Sequence, residues 1–364
     1  MNAFWRILHS FIVTINFVVV ILLIICGFAY KIKPEYTLLS SFLGYGFPIL
    51  ALINLFFIIY WLVRLKGWIL ISFIGLAITY SSYRAWCPIN SNSEVKPEEH
   101  QGKMIKVLSY NVMYFSFLTN LKPGEPHPIL KYIQKSDADI VCLQEAGSEF
   151  LKETIQSVVA RQISKTYPYI FSGADENKYS VVLLSKYPVI RRHRIRYESK
   201  SNSSFFYDLK IGADTIRLIN NHLESNKLNS DDKNKYTDLL TRRESEPLTE
   251  VAEVLGSKVG NASVIRANEA DSVSKVVMNS PYKVLVCGDF NDVPGSYTYR
   301  TVRKGLLDAW VEHGNGWGNT FHEHLFLFRI DFVMHSPGIK SYQVKVDKVK
   351  YSDHYPVWAN LEIQ

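Results

Sequence analysis

At 364 residues the chain has room for two to three units of ordinary domain size. It carries 41 Lys and Arg against 34 Asp and Glu, a net charge of +7, split as +4 over residues 1–103 and +3 over the rest. A domain at +3 lacks the basic stripe of a DNA-binding surface, and no pair among the four cysteines has metal-ligand spacing.

Three stretches near the amino terminus contain no Asp, Glu, Lys or Arg: Ile7 to Tyr30, Tyr36 to Val63 and Gly67 to Tyr83. About 20 apolar residues cross a bilayer, so the first two are long enough and the third is marginal, extended by Ala85 and Trp86. Core helices carry a polar face and these runs do not. About three membrane helices are expected, near 7–30, 37–63 and 67–86. No small-x-small site follows Cys26 before the next run, which argues against a cleavable signal peptide. Three passes put the amino terminus and Arg64 to Lys66 on one side, and Lys31, Lys33 and the remaining chain on the other. The flanking charges tie, and the free amino terminus tips the expectation toward a multi-pass protein with its large domain outside the cytoplasm.

Residues 87–103 turn polar, with the composition of a linker, and their reach is ~20–25 Å if coil-like. A domain spanning 104–364 follows, large enough to bury its own core. Strands are predicted at 105–110, 139–143, 179–185, 189–197, 204–211, 215–220, 283–287, 330–335, 342–348 and 356–362. Helices are predicted at 127–135, 148–164, 231–241, 248–278 and near 296–304. Strand-rich, with hairpins and covering helices, this α/β pattern fits two packed sheets with helices outside.

Six polar clusters punctuate the domain: Ser109-Tyr110-Asn111, Gln144-Glu145, Asn220-Asn221-His222, Gly288-Asp289-Phe290-Asn291, Arg329-Ile330-Asp331 and Ser352-Asp353-His354. Most end an apolar, β-rich run, where sheet proteins display reactive groups. Oxygen ligands mixed with imidazoles suit metal-assisted attack on a phosphate ester, because a hard divalent cation can polarise the phosphoryl oxygen. Glu145, with Asn111 and Asp353, is the candidate metal side. Asp289 can orient or deprotonate a water, and Asn291, two residues on in extended chain, can bond a non-bridging oxygen. An imidazolium at His354 can stabilise developing charge, its ring fixed by Asp331. His222 can donate to phosphate from the opposite side, with Asn220 beside it as a substrate-binding residue. Arg192, Arg194 and Arg196 could share a face meeting lipid headgroups or nucleic acid, although a solvated strand face explains them as well.

In this order the clusters resemble the endonuclease/exonuclease/phosphatase superfamily, the deoxyribonuclease I-like fold, over roughly residues 104–364. The resemblance implies a four-layer α/β sandwich, two mixed sheets flanked by helices, with the site at one end. It implies Mg²⁺ or Mn²⁺ and cleavage of phosphoesters. It places Asn111 and Glu145 on the metal side, His222 on the phosphate, Asp289 and Asn291 on the water, Asp331 with the last His, and Asp353-His354 as the terminal pair. Departures narrow the substrate. Abasic-site endonucleases have a Lys two residues after the motif Glu, where Gly147 stands here, and lack a His at the place of His222. Inositol 5-phosphatases have Cys-Asp-Arg near the fifth motif, where this chain reads Arg329-Ile330-Asp331-Phe332. The broad bacterial and sphingomyelinase-like branch remains. The expected function is membrane-anchored, metal-dependent hydrolysis of a phosphate ester, with the lipid bilayer as partner and a phospholipid-like substrate. An anchored nuclease acting on nucleic acid is the alternative, and a non-catalytic binding scaffold the second.

Overall fold

The computed structural model describes residues 3–91, 102–117, 125–146, 158–173, 181–199, 202–228, 231–232, 234, 248–323 and 327–363. Two N-terminal helices, α1 (Ala3–Phe28) and α2 (Leu39–Val63), lead the chain. Extended by a 3-10 turn to Lys31, α1 joins α2 as a helix long and apolar enough to cross a membrane. The third apolar run is broken at Thr79 into α3 (Ile69–Ile78) and α4 (Tyr80–Trp86). The Thr79 hydroxyl bonds back to the Gly75 carbonyl at 2.8 Å, a contact that competes with the helix ladder. Together α3 and α4 still run the length of the other two helices, although neither is long enough to count as a span. Trp68 Nε1 lies 3.2 Å from His9 Nε2 at one end, and Ser82 Oγ donates to the Gly27 carbonyl at 2.7 Å at the other.

The larger domain holds twelve described strands in two six-stranded sheets. One contains β1 (Lys103–Asn111), β2 (Ile140–Gln144), β3 (Tyr169–Ser172), β4 (Val182–Ser185), β11 (Ile339–Val346) and β12 (Val357–Ile363), in the order β11-β12-β1-β2-β4-β3. The other contains β5 (Val189–Ile195), β6 (Ser203–Ile211), β7 (Asp214–His222), β8 (Lys283–Asp289), β9 (Leu307–Asp308) and β10 (Asp331–His335), in the order β5-β6-β7-β8-β10-β9. Helices α5 (Pro128–Ser136), α6 (Val158–Thr166), α7 (Leu248–Met278), α8 (Tyr297–Val302) and α9 (Ala309–His313) complete it. Most of the predicted 148–164 helix and nearly all of 231–241 lie outside the described residues.

Side chains alternate across each strand. In the central strands β1, β2, β4, β7, β8 and β10 both faces are largely buried, which is why those strands read as continuous apolar runs. The edge strands β5 and β11 keep exposed residues. Val107, Ile140, Cys142, Leu218, Leu285 and Cys287 point between the sheets. Leu108, Val141 and Leu143 point outward onto Ile129, Leu130 and Ile133 of α5 and Ile163 of α6. Val284, Val286, Phe332 and Met334 point outward onto Ala270, Val273 and Val277 of α7 and Tyr299 and Val302 of α8. The result is helices, sheet, sheet, helices, as the alternation implied.

The helical segment docks on this sandwich. Leu23, Cys26, Phe47 and Ala51 share a buried cluster with Val293 and Ile330. Arg329 Nη1 binds Asp308 Oδ2 at 2.8 Å and Nη2 reaches the Ala85 carbonyl at 2.6 Å, tying α4 to the sheet. Arg84 Nη2 donates to the Val311 carbonyl at 2.8 Å.

Candidate active site

Strand direction brings the six clusters together. β1 and β2 run parallel, as do β7 and β8, so Asn111, Gln144, His222 and Asp289 finish at one end. β10 and β12 run antiparallel to their neighbours, so Asp331 and the residues before Val357 start at that same end. Ser109-Tyr110-Asn111, Gln144-Glu145 and Ser352-Asp353-His354 belong to one sheet. The other three clusters belong to its partner.

The contacts run across the sandwich. Asn111 Nδ2 donates to Asp289 Oδ2 at 3.0 Å and to Glu145 Oε1 at 3.1 Å. His354 Nδ1 sits 2.8 Å from Asp331 Oδ2, and its Nε2 is 3.8 Å from Asp289 Oδ2. His222 Nε2 lies 3.3 Å from Glu145 Oε1, close enough for an ion pair although neither ring nitrogen has a well-aligned hydrogen-bond partner. Gln144 Nε2 donates to Asn220 Oδ1 at 2.8 Å.

Backbone geometry shapes the loop after β8. Gly288 has φ +133°, and a Cβ there would sit 2.0 Å from the Asn221 carbonyl oxygen, so only glycine fits between the parallel strands. Asn291 is not in extended chain as expected, but in the left-handed region at φ +52°. Its backbone N–H closes a turn onto Asp289 Oδ1 at 2.7 Å, and this turn, rather than strand alternation, places the two side chains together. Asn291 Nδ2 then donates to the Leu223 carbonyl at 2.9 Å. Glu145 also has positive φ, +52°, as the chain leaves β2.

Burial and charge oppose each other here. Asp289 and Asp331 stand directly across from one another in the β8–β10 register, both buried. Burial, then the Asp331 carboxylate, raises the Asp289 carboxyl above its ordinary value. Burial alone would lower the His354 imidazole, but Asp331 and Asp289 outweigh it and hold it well above the ordinary value, as an imidazolium. Burial would raise Glu145, yet His222 and Asn111 bring it below the usual carboxylate value. The His222 imidazole is raised in turn, chiefly by Glu145, against its own burial.

Ligand atoms of Asp289, Asp331 and His354 all lie within 4.8 Å of one another. Asp331 Oδ1 is buried with no hydrogen-bond partner. Crowded carboxylates with an unsatisfied oxygen fit a hard, oxygen-preferring divalent cation. Glu145 and Asp353 line the same cavity as His354 and Asn291, a space of about 410 Å³.

Asn220 is placed otherwise than expected. It is fully buried, and its Nδ2 donates to the Leu143 and Val182 carbonyls at 3.2 and 3.1 Å. With Oδ1 held by Gln144, it braces the two sheets behind the site rather than reaching the cavity. Sequence reasoning missed Thr320, whose hydroxyl accepts from the Ile330 and Asp331 N–H groups at 3.1 Å each. It also missed Phe321, whose ring stands edge-on to His354 at 5.0 Å. Neither lies in a pattern that marks it.

A model described as the Endonuclease/Exonuclease/phosphatase family matches residues 108–354. A second, Domain of unknown function (DUF8431), matches residues 9–86. No curated protein matches the chain. Among solved structures, the endonuclease/exonuclease/phosphatase from Beutenbergia cavernae DSM 12333 shares the fold at TM-score 0.50 and 15% identity, over 71% of this chain and 72% of that one. A Bacteroides vulgatus endonuclease/exonuclease/phosphatase is 16% identical at TM-score 0.49, over 72% of this chain and 100% of its own. D. rerio TDP2 complexed with single strand DNA product is 15% identical at TM-score 0.48, over 71% and 99%.

Proposed function

Because the chain belongs to the endonuclease/exonuclease/phosphatase family, we propose that it hydrolyses a membrane-borne, phospholipid-like phosphate ester with the help of Mg²⁺ or Mn²⁺. The observation that carries the hydrolytic reading is the meeting across the sandwich of His354, Glu145 and Asn111 from one sheet with Asp331 and Asp289 from the other. In this reading Glu145, Asn111 and Asp353 hold the cation, with the Asp289 and Asp331 oxygens close by. A bound divalent cation would polarise the phosphoryl oxygen and stabilise charge on the leaving oxygen.

The chain's own groups do the rest. Asp289, its carboxyl raised by burial, accepts a proton from the attacking water and fixes its direction. The imidazolium of His354 faces the developing negative charge, held in orientation by Asp331. His222 binds a non-bridging oxygen, while the Asn291 amide, which donates to the Leu223 carbonyl and to Asp289 Oδ2, holds Asp289 toward the water rather than reaching the phosphate. Asn220 and Gln144 keep the strand ends at their spacing. The membrane part of the reading rests on the two long apolar helices and on their packing against Val293 and Ile330 beside the site. The large domain is taken to lie outside the cytoplasm.

The test uses the full chain in detergent against a panel of phosphodiesters and phosphomonoesters. Hydrolysis should require Mg²⁺ or Mn²⁺, and Glu145→Gln should fold but bind the cation more weakly by calorimetry. Turnover that persists after exhaustive EDTA treatment would sink the metal reading. Rapid cleavage of plasmid or single-stranded DNA with no phospholipid turnover would replace the lipid substrate by nucleic acid.

A further inference from the structure

The cavity over the catalytic cluster is not built by the family-matched residues alone. Phe42 and Tyr45 of α2 form part of its wall, and both lie within residues 9–86, ahead of the family match. Phe321, Phe328 and Ile330 add to the apolar lining, while Glu145, Asn291, Asp353 and His354 supply polar groups, joined by Ser225, Asn226 and Lys227. Tyr45 meets Phe328 edge-on with ring centroids 5.4 Å apart.

Backbone contact sets this wall in place. Gly44, between Phe42 and Tyr45, packs on Gly295, and a Cβ at Gly44 would lie 2.9 Å from the Gly295 carbonyl oxygen. Leu38, just before α2, covers Gly260 of α7. The α2 wall is therefore registered against the loop that follows Asp289.

The cavity has two chemistries. One part of the lining offers carboxylates and imidazole to a phosphate. The other offers aromatic and aliphatic surface, as small-molecule sites of this size generally do. Phe42 is 37% exposed, and the exposed Leu39, Ile49, Leu52 and Ile53 continue outward from it along α2. A wholly polar substrate would leave the apolar wall in contact with water. We propose that the N-terminal helical segment is part of the active site, with Phe42 and Tyr45 receiving the hydrocarbon group esterified to the substrate phosphate. The proposal rests on the phosphoesterase reading and names the part of the substrate that α2 recognises.

The experiment measures kcat/KM of the full chain in nonionic detergent with Mg²⁺ on three phosphodiesters. These are p-nitrophenyl methyl phosphate, p-nitrophenyl decyl phosphate and the p-nitrophenyl ester of thymidine 5′-phosphate. The decyl ester should exceed the methyl ester by at least about tenfold, since each buried methylene favours binding. Phe42→Ala should lower the decyl-to-methyl ratio by about tenfold, the order of one lost aromatic contact surface. The ratio does not depend on how much of the variant folds. Phe56→Ala, on an exposed stretch of the same helix, should keep the wild-type ratio, which separates the cavity from micelle partitioning. Equal turnover of methyl and decyl esters, or a ratio unmoved by Phe42→Ala, overturns the proposal. So does a preference for the thymidine ester that Phe42→Ala removes, because the aromatic wall would then stack a base. If none of the three is hydrolysed with Mg²⁺ or Mn²⁺, the phosphoesterase reading itself fails and the proposal with it.

Discussion

The helical segment and the sandwich domain are built inside out relative to each other. From Phe4 to Ser82, large apolar side chains such as Phe11, Phe56, Leu62 and Phe73 are exposed, while Asn16, Asn54, Ser72 and Ser82 are buried. Asn16 bridges the helices, donating to Ser72 Oγ at 2.6 Å and accepting from Trp61 Nε1 at 2.8 Å. In the described residues of the sandwich, the exposed large hydrophobics reduce to Ile190, Met278, Tyr282, Trp317 and Leu327. There the core is apolar, and the buried polar groups form the cluster at the site end and isolated pairs elsewhere, such as Asp208 with Arg217. Apolar surface outside and hydrogen bonds inside is the arrangement a lipid solvent favours, and its reverse is what water favours. Buried polar groups do different work in the two regions. Among the helices they join elements, and in the sandwich they also carry the site, beside structural ties such as Asn220.

Substitutions can break that contrast, and the largest effect belongs to the sandwich. Asp289→Asn and His354→Ala should each lower kcat by roughly 10²–10⁴, the range for a lost acid–base or charge-stabilising group. Either variant with near-normal kcat in steady-state assays leaves the catalytic set. Next comes Asn220→Leu, which strips hydrogen bonds from the Leu143 and Val182 carbonyls and from Gln144. A loss of about 2–3 kcal/mol in denaturant unfolding is expected, the cost of leaving buried groups unsatisfied. An unchanged midpoint would mean Asn220 does not brace the sheets.

Glu269 on α7 sharpens the comparison through pH. It is fully buried, accepts the Glu224 N–H at 2.7 Å, and burial, followed by the nearby Glu224 charge, raises its carboxyl to about 7 from 4.5. Folding therefore favours the protonated acid. Stability should be highest below the unfolded value and fall as pH rises toward about 7, by on the order of 3 kcal/mol, then level off. Glu269→Gln should flatten this slope between pH 5 and pH 8 in thermal melts, and a parallel wild-type slope would count against it. The smallest effect is expected among the helices. Asn16→Leu should cost only about 1 kcal/mol in detergent unfolding if α1 and α2 lie in a bilayer as proposed, where polar contacts between helices are individually weak. A cost as large as that of Asn220→Leu would erase the proposed difference between the two regions.

The four-layer plan was legible because period-2 alternation is local. Val107 and Leu108 face opposite layers by chain geometry alone. The chemical clusters were legible because each follows or precedes a strand. What alternation could not supply was the turn at Asn291, where the Asp289 side chain accepts the Asn291 N–H and the backbone takes a positive φ. The third apolar pass was visible as a run, but its break at Thr79 depends on contacts with Gly27 and on the docking of α4 through Arg84 and Ala85.

Residue order alone lays out the apolar N-terminal runs, the sheet-forming runs and the supply of carboxylates, amides and imidazoles at the strand ends. These depend on residue type and on spacings of a few positions. Only the tertiary structure decided that Asn111 meets Asp289 across 178 positions, that Asn220 braces while His222 faces Glu145, and that Phe42 and Tyr45 wall the cavity. The reason is physical. A residue's chemistry is carried by its side chain, but its partner is set by the register and spacing of packed sheets and helices, and those arise from contacts between distant parts of the chain.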